Sequence, residues 1–161
     1  MDIKKLLHDS DVADEELNRK IEKLEESIKD TGWYDVDLSK AIMVHSGTSI
    51  VNESSNRLRL RRIGDVVYFD VRLKFDNSNT NNVMLSFWFE SVAKEFIPII
   101  NQVFMIRSSQ YNSDNDIDTH EVWIQFRTGD NMSLSFFRPE NIKFNTVSGE
   151  VIIGTGCYIV N

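Results

Sequence analysis

The chain has 161 residues, 41% of them hydrophobic with 10 Phe, which suits one folded domain with an appendage and excludes wholesale disorder. A formal charge of −7 leaves no basic footprint for phosphates, so non-specific nucleic-acid binding and adhesion to anionic membranes are excluded. The charge is uneven: Met1–Thr31 carries ten acidic and six basic side chains, and the remainder fifteen and twelve.

The N-terminal MDIKKLLHDSDVADEE is too acidic for a secretory signal. Ile3, Leu7, Leu17, Ile21, Leu24 and Ile28 share one heptad register, with a at 7, 14, 21 and 28 and d at 3, 10, 17 and 24. Ser10 and Asp14 interrupt it. The pattern therefore predicts a helix from about Val12 to Lys29, N-capped by Asp11, behind a frayed or separate first segment.

Two readings of the helix stand: a coiled coil between copies, or an amphipathic helix lying on its own β domain. The narrow seam, with Glu, Lys and Arg on most other positions, favours the first. So do Lys20 at g and Glu25 at the following e, the pair that meets between chains in a parallel coiled coil. Two heptads are unstable alone, so the downstream domain must hold the helices together, and the heptads by themselves do not separate dimer from trimer.

After Asp30-Thr31-Gly32 the period becomes two, from Trp33 to Leu38. RLRLRRIGDVVYFDVRLKF, Arg57–Phe75, predicts a hairpin about Gly64-Asp65 in a type II′ turn. Its register sets Ile63 against Val66, Arg61 against Tyr68, Leu60 against Phe69, Arg59 against Asp70, Leu58 against Val71 and Arg57 against Arg72. One face is then apolar (Leu58, Leu60, Phe69, Val71, Leu73, Phe75). The other carries Arg57, Arg59, Arg61, Tyr68, Asp70 and Arg72, with Arg62 a misfit that reaches for water.

On that polar face Arg59 can pair with Asp70 and Arg61 can lie on Tyr68. Arg57 opposite Arg72 is repulsive unless an anion or a second chain relieves it. A solvated face and a binding surface both remain open.

The polar loop DNSNTNN precedes a strand in VMLSFWFES, with Leu85, Phe87 and Phe89 on one face and Met84, Ser86 and Trp88 on the other. FIPIINQVFMIRSS is broken at Pro98. HEVWIQFRTGDNMSLSFFR is a second hairpin turning at Gly129-Asp130-Asn131, and GEVIIGTGCYIV closes the chain with Cys157 as a small core residue. Seven to nine strands and no further long helix predict an antiparallel β-sandwich or jelly-roll-like head over 32–161, behind a helical stalk over 1–31. No run reaches the roughly 18 apolar residues of a membrane span.

Catalytic signatures are missing. His8, His45 and His120 share no metal-ligand spacing, the lone cysteine forms no disulfide or cysteine-based metal site, and no Walker loop, G-x-S-x-G elbow or GxGxxG occurs. No enzyme, metal or cofactor is expected. In YNSDNDIDTHE, Asp114, Asp116 and Asp118 alternate, but Thr119 and Gln125 replace the Gly and Glu of an EF-hand. The segment reads as a solvated connection, with a cation site or a ligand-contacting loop as the alternatives. Trp33, Trp88 and Trp123 are either core residues or platforms for a sugar ring.

DTGWYDVDL followed by LRLRRIGDVVYFDVRLKF resembles the head segments of tail-fibre and baseplate proteins of tailed bacteriophages infecting Gram-positive bacteria. There, a "TGW" entry precedes a strand pair of the type "R(K/R)IG(D/N)VV" behind a short coiled coil. The resemblance spans Glu15 to about Phe75. It implies a homotrimer of stalk and heads at the tail tip or baseplate of a virion, assembled in the host cytoplasm among other tail proteins.

The implied ligand is a bacterial cell-wall saccharide or teichoic acid, bound without catalysis. A tail-attachment domain is missing from this sequence, which reads as a fragment or as a chain whose link is reduced to Ile3–Leu7. Residue type and loop position make Trp88, Trp123, Tyr111, Asp114, Asp116 and His120 the candidate contacts; Leu17, Ile21, Leu24, Ile28, Lys20 and Glu25 are the candidate oligomerisation residues. The rivals are a structural component docking other virion proteins, and a depolymerase, which would need a carboxylate pair.

Overall fold

The computed structural model describes residues 3–43, 48–50, 52–77, 84–90, 92–111, 117–138 and 151–160. Among them one helix, α1 (Ile3–Ser27), precedes ten strands. These are β1 (Tyr34–Asp35), β2 (Ala41–Met43), β3 (Thr48–Ile50), β4 (Arg57–Ile63), β5 (Val66–Asn77), β6 (Met84–Phe89), β7 (Gln102–Tyr111), β8 (Ile117–Arg127), β9 (Met132–Phe137) and β10 (Val151–Ile159). The fold is mainly β, as the alternation predicts, with one more strand than the upper bound expected.

α1 begins at Ile3 rather than Val12 and ends at Ser27 rather than Lys29, so Asp11 lies within the helix and does not cap it. Residues 12–30 are solvent-exposed throughout. A polar residue on the seam therefore spoils no packing within the chain, and helix-favouring Lys, Leu, Ala and Glu carry the backbone through. The expected strand from Trp33 also shrinks, to the two residues of β1. The Asp37 carboxylate accepts from the Ser39 amide at 3.1 Å and turns the chain into a 3-10 segment, Leu38–Lys40, the local competition short polar side chains introduce.

The β4–β5 hairpin has the predicted register at every pair from Ile63↔Val66 to Arg57↔Arg72. Leu58, Leu60, Phe69, Val71, Leu73 and Phe75 are buried on one face. Gly64 takes φ +56, the left-handed value that the first position of this turn demands. Arg62 differs from expectation. Its Nε donates to the Gly64 carbonyl at 2.6 Å and its Nη1 to the Glu95 carbonyl at 3.4 Å, so it braces the turn instead of reaching for water.

The hairpin tip also holds the helix. The Gly64 amide donates to the Lys29 carbonyl at 3.0 Å, and the Thr31 amide to the Arg62 carbonyl at 3.0 Å. The Arg62 amide donates to Thr31 Oγ1 at 2.9 Å. A Cβ on Gly64 would stand 2.1 Å from the Ser27 carbonyl oxygen, so the turn needs glycine for space as well as for φ. Beyond the latch, Tyr34 stacks on Phe96 at 5.3 Å and carries the segment onto the head.

The strands form one antiparallel ladder in the order β1-β4-β5-β10-β7-β8-β9-β6-β2, with β3 beside β5. From β5 to β6 is five steps, about 24 Å in a flat sheet. Yet Phe75 of β5 stacks on Phe87 of β6 with centroids 5.5 Å apart, and Phe69 of β5 meets Phe126 of β8 at 4.7 Å. The sheet is therefore folded over on itself, and one aromatic core fills the space between its halves.

The bend lies where β10 meets β7, which pair only over Val151–Ile153 against Arg107–Ser109. Farther along, the Gln102 side-chain amide donates to the Ile159 carbonyl at 2.7 Å and accepts from its amide at 3.2 Å, replacing the missing backbone ladder. Tyr158 is buried beneath, its hydroxyl donating to the Phe96 carbonyl at 2.6 Å.

Gly64→Ala is expected to lose about 2–4 kcal/mol through strain and the clash with Ser27. Gly32→Ala, at φ +68 with no atom near its missing Cβ, should lose about 1 kcal/mol. Urea denaturation of both variants measures the difference; equal losses would mean the helix end does not press on the turn.

Candidate functional site

α1 exposes its apolar seam. Leu17, Ile21, Leu24 and Ile28 are 43–70% accessible, and Val12 is 50% accessible. Of the predicted inter-chain pair, Lys20 instead binds Glu16 of its own helix at 2.8 Å, an exposed pair of small energetic weight, and Glu25 is exposed. Nothing in the described head covers the seam.

The polar face of the β4–β5 hairpin forms a second feature. Arg57 Nε lies 2.8 Å from Asp70 Oδ2, and Arg59 binds the same carboxylate through Nε at 3.1 Å and through Nη2. Arg61 forks onto Asp30, not onto Tyr68, and Arg72 donates to Ser55. Arg57 thus has a charge partner in Asp70, which it shares with Arg59, while Arg72 donates to the uncharged Ser55 hydroxyl. Arg59 also lies over the Trp33 ring, 5.2 Å from its centroid, which explains why a half-exposed Trp follows the turn glycine.

Trp33, Arg57, Arg59, Arg61 and Asp70 line an open concavity of about 700 Å³ with Tyr68, Thr155 and Cys157. Cys157 is exposed there, contrary to the core position expected of it. β10 alternates, with Ile152 and Tyr158 inward and odd-numbered residues outward, so its apolar run does not mark burial.

Burial opposes ionisation of Asp70, but the hydrogen bonds from Arg57 and Arg59 outweigh it and hold its carboxyl below the ordinary range. For Asp30 the hydrogen bond from Arg61 leads, joined by the Gly32 amide, and lowers the carboxyl from 3.8 to about 2.

The third feature is on the outer face of β6, β9 and β8. Trp88, Ser133 and Arg127 stand opposite one another across those strands and so point to the same side. Trp88 is 46% exposed. With Thr128, Gly129, Asp130 and Asn131 of the β8–β9 turn they line a cleft of about 290 Å³. Ile42 of β2 lies opposite Trp88 and extends the row outward.

Trp123 shares this face, leaning on Phe137 at 6.0 Å and 39% exposed. It lies four residues from Arg127, about 13 Å along β8, and belongs to no single cluster with Trp88. Between the two, Ser86 and Ser135 share a hydrogen bond at 2.9 Å, buried between taller neighbours.

Of the other sequence candidates, Tyr111 ends β7 opposite Ile117, while Asp114 and Asp116 lie outside the described residues. His120 is half-buried opposite Ser108, in the inward row of Val122 and Ile124, away from the Trp88 cleft. The residues that do join Trp88 carry no sequence signal of their own beyond the glycine turn that holds most of them. Among the described residues no three His, Cys, Asp or Glu side chains group as a metal site requires, and no helix is long and apolar enough to cross a membrane.

No family model matches the chain, and no curated protein does. Among solved structures it is similar to two adenovirus fibre knobs: the fibre head of raptor adenovirus 1 in a β-hairpin-deleted form, and the Ad16 fiber knob. Each is 12% identical with a TM-score of 0.44, over 80% of this chain and 99% and 96% of theirs respectively. Likeness of that degree assigns no ligand to the chain.

The paired carboxylates give a pH dependence with a definite sign. A carboxyl whose pKa falls on folding stabilises the fold above its unfolded value and stops doing so as pH drops through the folded one. The Asp30 contribution is therefore present above 3.8 and fades towards 2. Asp30→Asn should be less stable than wild type at neutral pH and converge with it near the lower value, read from urea midpoints across that range. Parallel curves would show that the Arg61 pair contributes nothing.

Proposed function

We propose that the chain is a receptor-binding head of a virion attachment device, three copies joined along α1, each presenting a β head that binds a host-surface glycan without catalysis. The finer reading is a tail-fibre or baseplate protein of a phage infecting Gram-positive bacteria, with wall polysaccharide or teichoic acid as ligand. The helix is then the stalk and residues from 32 onward the head.

The observation that carries this reading is the bare seam: apolar side chains at a and d, exposed along a helix whose C-terminal end is latched to a head with its own closed core. Such a seam is a liability in a monomer and an interface in an assembly. Joining copies turns weak single sites for a repeating polymer into strong attachment through effective concentration. The exposed indoles of Trp88 and Trp123 favour a glycan over a partner that needs a flat apolar surface.

A second reading, docking to other structural proteins of the particle, draws on another surface. Val103, Met105, Ile153 and Ile159 are 40–63% exposed along the outer sides of β7 and β10. Contact between heads about a common axis would cover the same residues, so it also fits the first reading.

Light scattering on the full chain is expected to give three times the protomer mass. Leu17→Glu combined with Leu24→Glu should give the monomer with the head still folded. Labelled wild-type protein should decorate one bacterial strain and be displaced by that strain's purified wall polysaccharide. The monomeric variant should bind at least about tenfold more weakly. A monomeric wild type would remove the stalk, and binding only to purified tail proteins would favour the docking reading.

A further inference from the structure

We propose that the cleft between Trp88 and Arg127 is a subsite for one neutral pyranose ring, which lies on the Trp88 indole and exchanges hydrogen bonds with Ser133, Asp130 and Asn131. The inference rests on the glycan-binding reading and adds where, and to what chemistry, the head binds.

The shape comes from the ladder. Two strand spacings separate Trp88 from Arg127, about 10 Å, with Ser133 between them on β9. A small residue between two large ones makes a slot, and the turn from Thr128 to Asn131 lines it as well. At about 290 Å³ the slot is at the small end of ligand sites, room for a ring and not for an extended chain. Its apolar wall is an indole, which a sugar's C–H face covers without a hydrogen-bond partner for every atom.

An unpartnered hydroxyl points to a ligand independently. Ser133 is 7% exposed, yet its Oγ has no hydrogen-bond partner among the described residues. A buried hydroxyl left single is unfavourable, and such groups are rare in folded proteins. The neighbouring buried serines, Ser86 and Ser135, satisfy each other. Ser133 lines the slot with its Oγ covered in the free protein, so a turn about its Cα–Cβ bond brings the hydroxyl to a ligand hydroxyl, which it can donate to or accept from.

The charges narrow the chemistry. Arg127 and Asp130 are both exposed at the cleft, so a phosphate meets a carboxylate and an ammonium meets a guanidinium. Sugar hydroxyls, which donate and accept, suit both.

The test uses the 15N-labelled 161-residue chain and follows the indole N–H signals of Trp33, Trp88 and Trp123 while the methyl glycosides of glucose, galactose and N-acetylglucosamine are added. A saturable shift of the Trp88 signal with at least one of them in the millimolar range is expected, with Trp123 unmoved. Trp88→Ala should abolish binding. Ser133→Ala should bind about 3–10-fold more weakly while keeping or raising the unfolding midpoint, because the hydroxyl it removes bonds nothing in the free protein.

If no glycoside moves Trp88 up to about 100 mM although the protein still decorates cells and is displaced by wall polysaccharide, the subsite is wrong and the head binds elsewhere. Inorganic phosphate shifting Trp88 in place of the glycosides would overturn the neutral-ring chemistry. Ser133→Ala losing stability and not affinity would make the hydroxyl structural and overturn its role. Failure of polysaccharide displacement together with silent indoles would sink the glycan reading itself.

Discussion

The structure depends on one contact: the end of α1 seated on the tip of the β4–β5 hairpin. Among the described residues nothing else covers the helix, whose seam and flanks are exposed from Val12 to Ser27. A short set of bonds to Gly64 and Arg62, with the ion pair of Asp30 and Arg61, fixes it in place. Gly64 makes this possible by lacking the atom that would strike the Ser27 carbonyl. The TGW and RRIGD stretches, distant in sequence, are the two halves of one joint.

A joint of this kind transmits orientation. Because the chain leaves the helix through backbone bonds to β4, the phase of the seam is set relative to the head. Copies that associate along the seam would therefore present their heads in a fixed arrangement, and would not leave them swinging on linkers. That distinction matters for a multivalent binder, whose gain in strength vanishes when the sites cannot engage together.

The arginine face shows how far a surface can be misjudged by residue type. Several guanidiniums on one face invite an anionic ligand, yet Asp70 serves two of them, Asp30 a third and Ser55 a fourth. On the outer face of β6 and β9 a half-exposed indole stands opposite a serine whose buried hydroxyl has no partner among the described residues.

Much of the architecture was legible because it is local. The β4–β5 register comes from a two-residue loop and the strict alternation of its strands, and both hairpin turns announce themselves by glycine beside Asp or Asn. The heptad seam likewise needs no partner to be recognised. The start of α1 and the shortness of β1 escaped, because propensity carries a helix past a polar interruption and a capping carboxylate ends a strand early. Cys157 escaped because an apolar run in a folded-over sheet still alternates between faces. The Trp88 cleft could be found only in three dimensions. Its wall, floor and far side come from β6, β9 and β8, and only the hydrogen-bonded ladder sets Trp88 opposite Ser133 and Arg127. Short-range periodicity decides which residues face inward, but which outward residues meet is decided by strand order.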